Sequence, residues 1–436
     1  MRVTRESTLR RLVAPAAWLR DLGWNPRRGE RGGVIAVLGA TQWIAWGSTY
    51  YLVTVIAEPL AAETGWSLAT VIAGLSFGLV IAGIVSPVVG KLIERRGGSP
   101  VLTAGSLILA VGLVALAVAH RALPYFFAWA VLGVGMGASF YDAAFATLGR
   151  LYGLGARAMI GNLTLIGGLT MTVTWPLSAA LTQAIGWRGA CLVYAALHVF
   201  GCVPALALLL PAPRREPIAG PPGALPMHHG VSSTLPAERR RWLLFLLGAN
   251  LTLQIGVGAV LAVHLVTLLR GLGLTLTGAV ALGSVMGLSQ VGGRLIEISI
   301  ARRVHPVWEG IGASFLVLLG CALLLTGRPV LIAAALVVYG LGNGVRTIVK
   351  GTLPLVLFGA EGYATLIGKL GLPTLIAQAA GPAIGALSLA RYGTTSTIGV
   401  LVALAFANLG LSWSLRLGLP GRMGAGVEAP TAVPRG

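Results

Sequence analysis

Charge is scarce in this chain: of 436 residues only 10% are Asp, Glu, Lys or Arg, and 13 are acidic. Soluble domains carry about 25% charged residues, so a water-soluble enzyme of this length is excluded. A disordered chain is excluded as well, because such chains are rich in charge and poor in apolar residues. Cysteine is equally sparse. Cys191, Cys202 and Cys321 lie in apolar runs and offer no disulfide framework. Cys191 and Cys202 share a helical face, but their separation of about 16 Å along it is too large for one metal ion. His228-His229 is too sparse for a metal site, and no phosphate-binding P-loop is present. Gly74-Leu75-Ser76-Phe77-Gly78 has the spelling of a hydrolase elbow, yet that motif works only between a strand and a helix. Inside an apolar run it reads as Gly-x-x-x-Gly helix packing. The glycine clusters at 133–137 and 340–344 likewise lack the strand of a dinucleotide loop. Asn162-Leu163-Thr164 and Asn250-Leu251-Thr252 match the glycosylation pattern but fall within apolar segments. No catalytic cluster converges, so no enzyme activity, cofactor or metal is expected.

What the chain has is apolar length. Hydrophobic residues make up 56% of it, with a mean hydropathy of +0.84. A bilayer core about 30 Å thick needs roughly 20 apolar residues per helix. Runs of that kind occur at 33–57, 66–90, 100–119, 123–148, 158–185 and 189–210, and again at 242–268, 275–293, 307–326, 329–351, 366–389 and 395–417. These twelve spans predict an all-α membrane protein with two six-helix bundles, 33–210 and 242–417. Residues 211–241, rich in Pro, Gly and Arg, read as a linker between them, and 1–32 and 418–436 as tails.

Basic residues set the expected orientation. Apart from Arg121, Arg188, Arg270, Arg328, Arg391 and Lys369, every Lys and Arg falls in the tails, the linker or the even-numbered turns, counting Arg346 and Lys350 near the inner end of span 10. The positive-inside rule then puts both termini and the linker in the cytoplasm, with the chain in the inner (plasma) membrane. The net charge of +19 is read as topology and not as a nucleic-acid footprint. The Arg-rich tail, with Leu9, Leu12, Trp18, Leu19 and Trp24 interleaved, reads as a plain cytoplasmic tail or as a helix lying on the anionic leaflet.

The two halves repeat each other. Gly90-Lys91-Leu92-Ile93-Glu94 matches Gly293-Arg294-Leu295-Ile296-Glu297, the cluster at Gly133–Gly137 matches Gly340–Gly344, and Pro176 matches Pro382, all at nearly constant spacing. Parallel repeats of this kind place a solute site near the midplane between halves that rock against each other.

The stretch Gly90-Lys91-Leu92-Ile93-Glu94-Arg95-Arg96-Gly97-Gly98-Ser99 resembles the G-x-L-x-D-R-x-G-R-K signature of the major facilitator superfamily. Glu94 replaces the usual Asp, and Gly98 and Ser99 replace two basic residues. Gly186-Trp187-Arg188 is also familiar from that family. Trp175-Pro176 resembles its span-5 antiporter-type Gly-Pro with Trp for Gly, and Trp129 stands where its span-4 Arg would sit. Tyr141–Phe145 and Gly351–Leu355 resemble poorly characterised bacterial members. The resemblance covers 33–417 and implies a secondary transporter whose spans 1, 4, 7 and 10 line the solute cavity.

Candidate residues follow. Gly90 and Gly293 allow close helix approach. Glu94 and Glu297 can face a helix N-terminus or pair with arginine, and Arg95, Arg96, Arg294, Arg302 and Arg303 can bind acids or lipid phosphates, so these residues form an expected gate. Gln42, Trp46, Thr49 and Tyr50 of span 1, Asn250 and Gln254 of span 7, and Asn343, Arg346 and Lys350 of span 10 form an expected substrate set. Arg346 and Lys350 share a helix face and either attract an anion or pair with Glu297, Glu361 or Asp142. Asp142 and His264 are candidates to carry a coupling proton, and Glu58, ahead of Pro59, is a third candidate or a loop cap. The partners expected are a small organic solute, protons and the lipid bilayer, with the protein a monomer. Proton-linked transport of an organic anion, efflux of a drug-like compound, and a non-transporting membrane sensor are the functions the residues leave open.

Overall fold

A computed structural model describes residues 31–211, 235–301 and 304–419. Residues 1–30 and 420–436 of the tails, the 212–234 part of the linker with His228-His229, and Arg302 and Arg303 lie outside the described residues. The described chain is helical almost throughout and contains no β-strand. A lipid environment leaves no alternative to helices here, because each backbone group must be satisfied within its own segment.

Eight helical runs are long and apolar enough to cross a membrane. Two of them are compound. Ala122–Leu209 turns back at Gly153 (φ 55°) and Gly186 (φ 74°), and Tyr363–Leu417 turns back at Gly393 (φ 73°). Positive φ costs glycine nothing, so Gly186 and Gly393 fold each apolar run into an antiparallel pair, spans 5 and 6 and spans 11 and 12. Span 1 consists of two short helices, Arg31–Gly47 and Leu52–Thr64, which brings the total to twelve spans. The second helix continues through Glu58 and Pro59, and Glu58 is exposed within it, so this residue does not cap a loop.

The repeat is visible in the turns. Ser67 begins span 2 and its side chain accepts from the Thr70 N–H; Thr275 begins span 8 and accepts from the Gly278 N–H. It is visible in the glycine clusters too. Gly133 and Gly137 abut span 2 and Gly135 abuts span 3, while Gly340 and Gly344 abut span 8 and Gly342 abuts span 9. A methyl on Gly340 would lie 2.6 Å from the Met286 carbonyl, and one on Gly342 would lie 2.8 Å from that of Ala313. Gly74 and Gly78 pack against Trp129 of span 4, which is the packing role expected for that motif.

Spans 1, 4 and 5 are not the continuous helices that the apolar runs suggest. Span 1 breaks at Ser48–Tyr51, span 4 at Phe140 and span 5 at Gly168–Leu169. Span 1 stitches the other two breaks together. Gln42 Nε2 donates to the Ser139 carbonyl (2.6 Å), and Trp43 Nε1 donates to the Ile166 carbonyl (2.7 Å). Broken helices survive in a bilayer when side chains of neighbouring helices satisfy the freed backbone in this way. The span-1 break is itself tied to span 6, where Ser48 Oγ lies 3.0 Å from His198 Nε2 in the π-helical segment Leu197–Cys202.

The two halves meet at one end. Contacts across the seam run through the half-spans Tyr141–Tyr152 and Ala156–Gly167 and along spans 2 and 11. The opposite halves of spans 1, 4 and 5, and the whole of span 7, make few or no contacts across it. At the closed end Ile348, Leu355, Tyr363, Ala364 and Ile367 of the second half join the apolar core of the first. The halves are thus joined at the end that carries Glu94, Arg157 and Lys350, and the sparse contacts beyond it leave a crevice between them.

Candidate functional site

The floor of the crevice is aromatic. Trp46 stacks on Phe140 at 4.0 Å and 10°, with Tyr50, Tyr51 and Tyr141 packed around it at centroid distances of 5.4, 6.1 and 5.5 Å. The breaks in spans 1 and 4 build this shelf, because each exposes consecutive aromatic residues on one side. Tyr50 also lies near Gln378 of span 11, across the seam. Gln42 takes no part in the open surface: it is buried, and its Oε1 accepts from Trp46 Nε1 (3.0 Å). Thr49 is buried and bonds to the Ala45 carbonyl of its own helix.

Opposite the shelf stands Arg294. It is buried and forms no ion pair or hydrogen bond among the described residues, and its Nε faces no acceptor. The guanidinium lies against Gly168 at the span-5 break and within electrostatic reach of Tyr51 and Tyr141. The expected gate residue thus reaches the aromatic shelf of the other half. Gly293 packs on the Leu341 carbonyl of span 10, inside its own half.

Lys350 Nζ and Asp142 Oδ1 form an ion pair across the seam (2.7 Å), which commits both charges. Arg346, four residues earlier, is 1% exposed, and among the described residues none of its three guanidinium nitrogens has a hydrogen-bond partner; Tyr339 and Cys321 are its electrostatic neighbours. Asn343 bonds to Gln290 of span 8 (3.1 Å). Asn250 is turned into its own half, where it bonds to Ser412 (2.8 Å) and the Asn408 carbonyl, and Ser314 completes the network. Gln254 is buried and makes no side-chain hydrogen bond among the described residues. His264 Nε2 lies 2.8 Å from the Pro382 carbonyl, so the ring bridges spans 7 and 11. Of the expected substrate set, then, Trp46 and Tyr50 face the seam, Lys350 closes it, and Asn250 and Asn343 stabilise one half.

At the sealed end, Gly90 and Gly368 interlock backbone to backbone, so that a methyl on Gly90 would lie 3.0 Å from the Gly368 Cα. Glu94 Oε2 accepts from the Ala364 N–H (3.1 Å), capping the first turn of span 11 from the opposite half. Arg95 is exposed and forms no ion pair among the described residues. Glu297 is buried against Glu309 of span 9, whose Oε1 pairs with Arg157 Nη2 of span 5 (2.6 Å). Sequence reading missed Arg157 and Glu309. Their signal was an acid in the first turn of span 9 and a base at the start of span 5. At the other end Arg188 holds the Glu63 carboxyl below the usual carboxylate range, and Trp187 Nε1 donates to the same group (2.6 Å).

The profile of the Major Facilitator Superfamily matches residues 38–349. The chain belongs to this superfamily. Monocarboxylate transporter 11 of Homo sapiens is 29% identical over 346 residues, 74% of this chain and 67% of that protein. Monocarboxylate transporter 1 of Rattus norvegicus is 25% identical over 194 residues, and the match spans only 37% of its length. The human organic anion transporter MFSD10 (TETRAN) superposes with a TM-score of 0.68 at 16% identity, covering 88% of this chain and 100% of that one. The proton:xylose symporter XylE gives 0.64 at 11% identity, covering 88% and 95%. At these identities the two structures establish the fold alone. As a superfamily member the chain is a multi-pass membrane transporter of small molecules and not an enzyme.

Proposed function

We propose that this transporter moves small organic anions, monocarboxylates in particular, by alternating access coupled to protons. The carrying observation is Arg294, a buried guanidinium with no acid paired to it among the described residues, set against the aromatic shelf of the opposite half. A guanidinium offers a carboxylate two parallel charge-assisted hydrogen bonds. The rings of Trp46, Tyr50, Tyr51 and Tyr141 suit the apolar remainder of the same molecule. The two relatives named monocarboxylate transporters support this class of cargo. Arg346, also without a partner, is the deeper cation of the expected pair, Lys350 being committed to Asp142.

The bias of basic residues supports a cytoplasmic sealed end with both termini on the same side, and the chain is read as a monomer of the inner membrane. In that frame the structure is outward-open. The test is uptake of a labelled short-chain monocarboxylate into proteoliposomes, with and without an imposed pH gradient. Arg294→Gln is expected to lower uptake at least tenfold; undiminished uptake refutes the assignment. Efflux of neutral aromatic compounds is the second reading, favoured by the Trp46–Phe140 stack, and it predicts that Arg294→Gln keeps full transport of such compounds. Saturable binding without counterflow would identify a sensor.

A further inference from the structure

We propose that Glu297, Glu309 and Arg157 form a proton-operated latch, in which the two carboxyl groups share one proton while the seam is closed. This rests on the proton-coupled reading above and gives its proton a site. Glu297 is 1% exposed and Glu309 5%, and the two carboxyl groups lie within electrostatic reach of each other. Carboxylates only accept hydrogen bonds, so a bond between the two groups requires a proton. Two ionised carboxylates in contact out of water repel strongly, and such pairs retain one proton. Glu297 Oε1 and Glu309 Oε2 are buried with no protein donor facing them, and a carboxyl proton supplies one. Gly161 of span 5 leaves the room that the Glu297 carboxyl occupies.

The remaining single negative charge is matched by Arg157, which pairs with Glu309 at 2.6 Å and donates to the Val304 carbonyl at 2.9 Å. Arg157 belongs to the first half of the molecule and both acids to the second, so this pair ties the seam. Other charged groups on the packed elements are Arg294 one turn back on span 8, Arg346 and Lys350 on span 10, His305 ahead of span 9, and Arg416 on span 12. Lys350 is committed to Asp142. Burial first, then Arg157 and Arg416, hold the His305 imidazole below its ordinary range, so it stays neutral. Among the described residues Asp142 is thus ion-paired, His264 faces a carbonyl, and the Glu297–Glu309 pair is the site that can take up a proton from the sealed face. Binding one proton from the solvent on that face brings the charge of the acid pair from minus one to zero. Arg157 then has no counter-charge, and the latch opens.

The test uses the full-length protein in liposomes. Infrared spectroscopy of the wild type at neutral pH should show a protonated carboxyl C=O band. Glu297→Gln should remove that band, and Glu63→Gln, which changes an exposed acid, should not. Alkylation of a cysteine placed at Ile160, sealed against span 10, divided by that of an always-exposed cysteine so that the loss of thiolate cancels, should quicken about tenfold per unit fall in pH through the transition, the signature of a single proton. In a Glu309→Gln background it should be fast at every pH. Absence of the band, its survival in Glu297→Gln, or an alkylation ratio to the exposed cysteine that does not change with pH overturns the proposal. A protein that carries no monocarboxylate but keeps the band and the pH response upholds the latch and refutes the cargo.

Discussion

Lys350 and Asp142 hold the two halves of the molecule together across the seam, Nζ to Oδ1 at 2.7 Å, with side chains 16% and 8% exposed. A pair this deep has little water to fall back on. Asp142 lies in the first turn of Tyr141–Tyr152, where the helix dipole also favours negative charge.

Removing one partner should therefore hurt more than removing both. Asp142→Asn strands a buried ammonium and is expected to cost about 3–5 kcal/mol, whereas Asp142→Asn combined with Lys350→Met should recover most of that loss. Thermal unfolding of Asp142→Asn, Lys350→Met and the double variant in detergent measures the coupling. Equal losses in the single and double variants would mean that the ion pair does not operate.

Glu94 acts on span 11 from the other half, so its effect is on conformation and not on folding. Glu94→Gln keeps the hydrogen-bonding shape and discards the charge at the helix N-terminus, worth about 1 kcal/mol. The expected result is a several-fold shift towards the state open at the sealed end, read from spin-label distances between spans 2 and 11. Unchanged distances would leave the cap with no role in gating.

Gly90 and Gly368 cannot both be covered. Gly368→Val pushes into the Ser86 carbonyl and the Gly90 backbone, and it is expected to give a folded protein that cannot close this end and transports at least tenfold more slowly. Gly399→Ala, where an added methyl meets nothing within 4 Å, is the matching control and should transport normally.

The pair Glu63–Arg188 predicts a pH dependence. The folded carboxyl titrates below its unfolded value, so its contribution is present above the unfolded value and is lost as pH falls through the folded one. The melting temperature of wild type should exceed that of Glu63→Gln at neutral pH, and the gap should close on acidification. A gap that persists in acid would point to packing instead.

The apolar runs, glycine clusters and turn glycines dictated the twelve spans and the twofold repeat, because a bilayer accepts helices and little else. The Gly90–Glu94 motif likewise announced a carboxylate at a helix end, and Glu94 caps span 11. Periodicity said nothing of where helices break, since a broken helix keeps its apolar composition; Gln42 and Trp43 reveal the breaks only by satisfying carbonyls on spans 4 and 5. Nor could spacing along one helix show which polar groups meet. Asn250 turned inward to Asn408 and Ser412, Lys350 crossed to Asp142, and Arg157 found Glu309 from another bundle. Partners so distant in the chain are chosen by packing, and packing alone decided which charges are neutralised and which, like those of Arg294 and Arg346, are left for something else to bind.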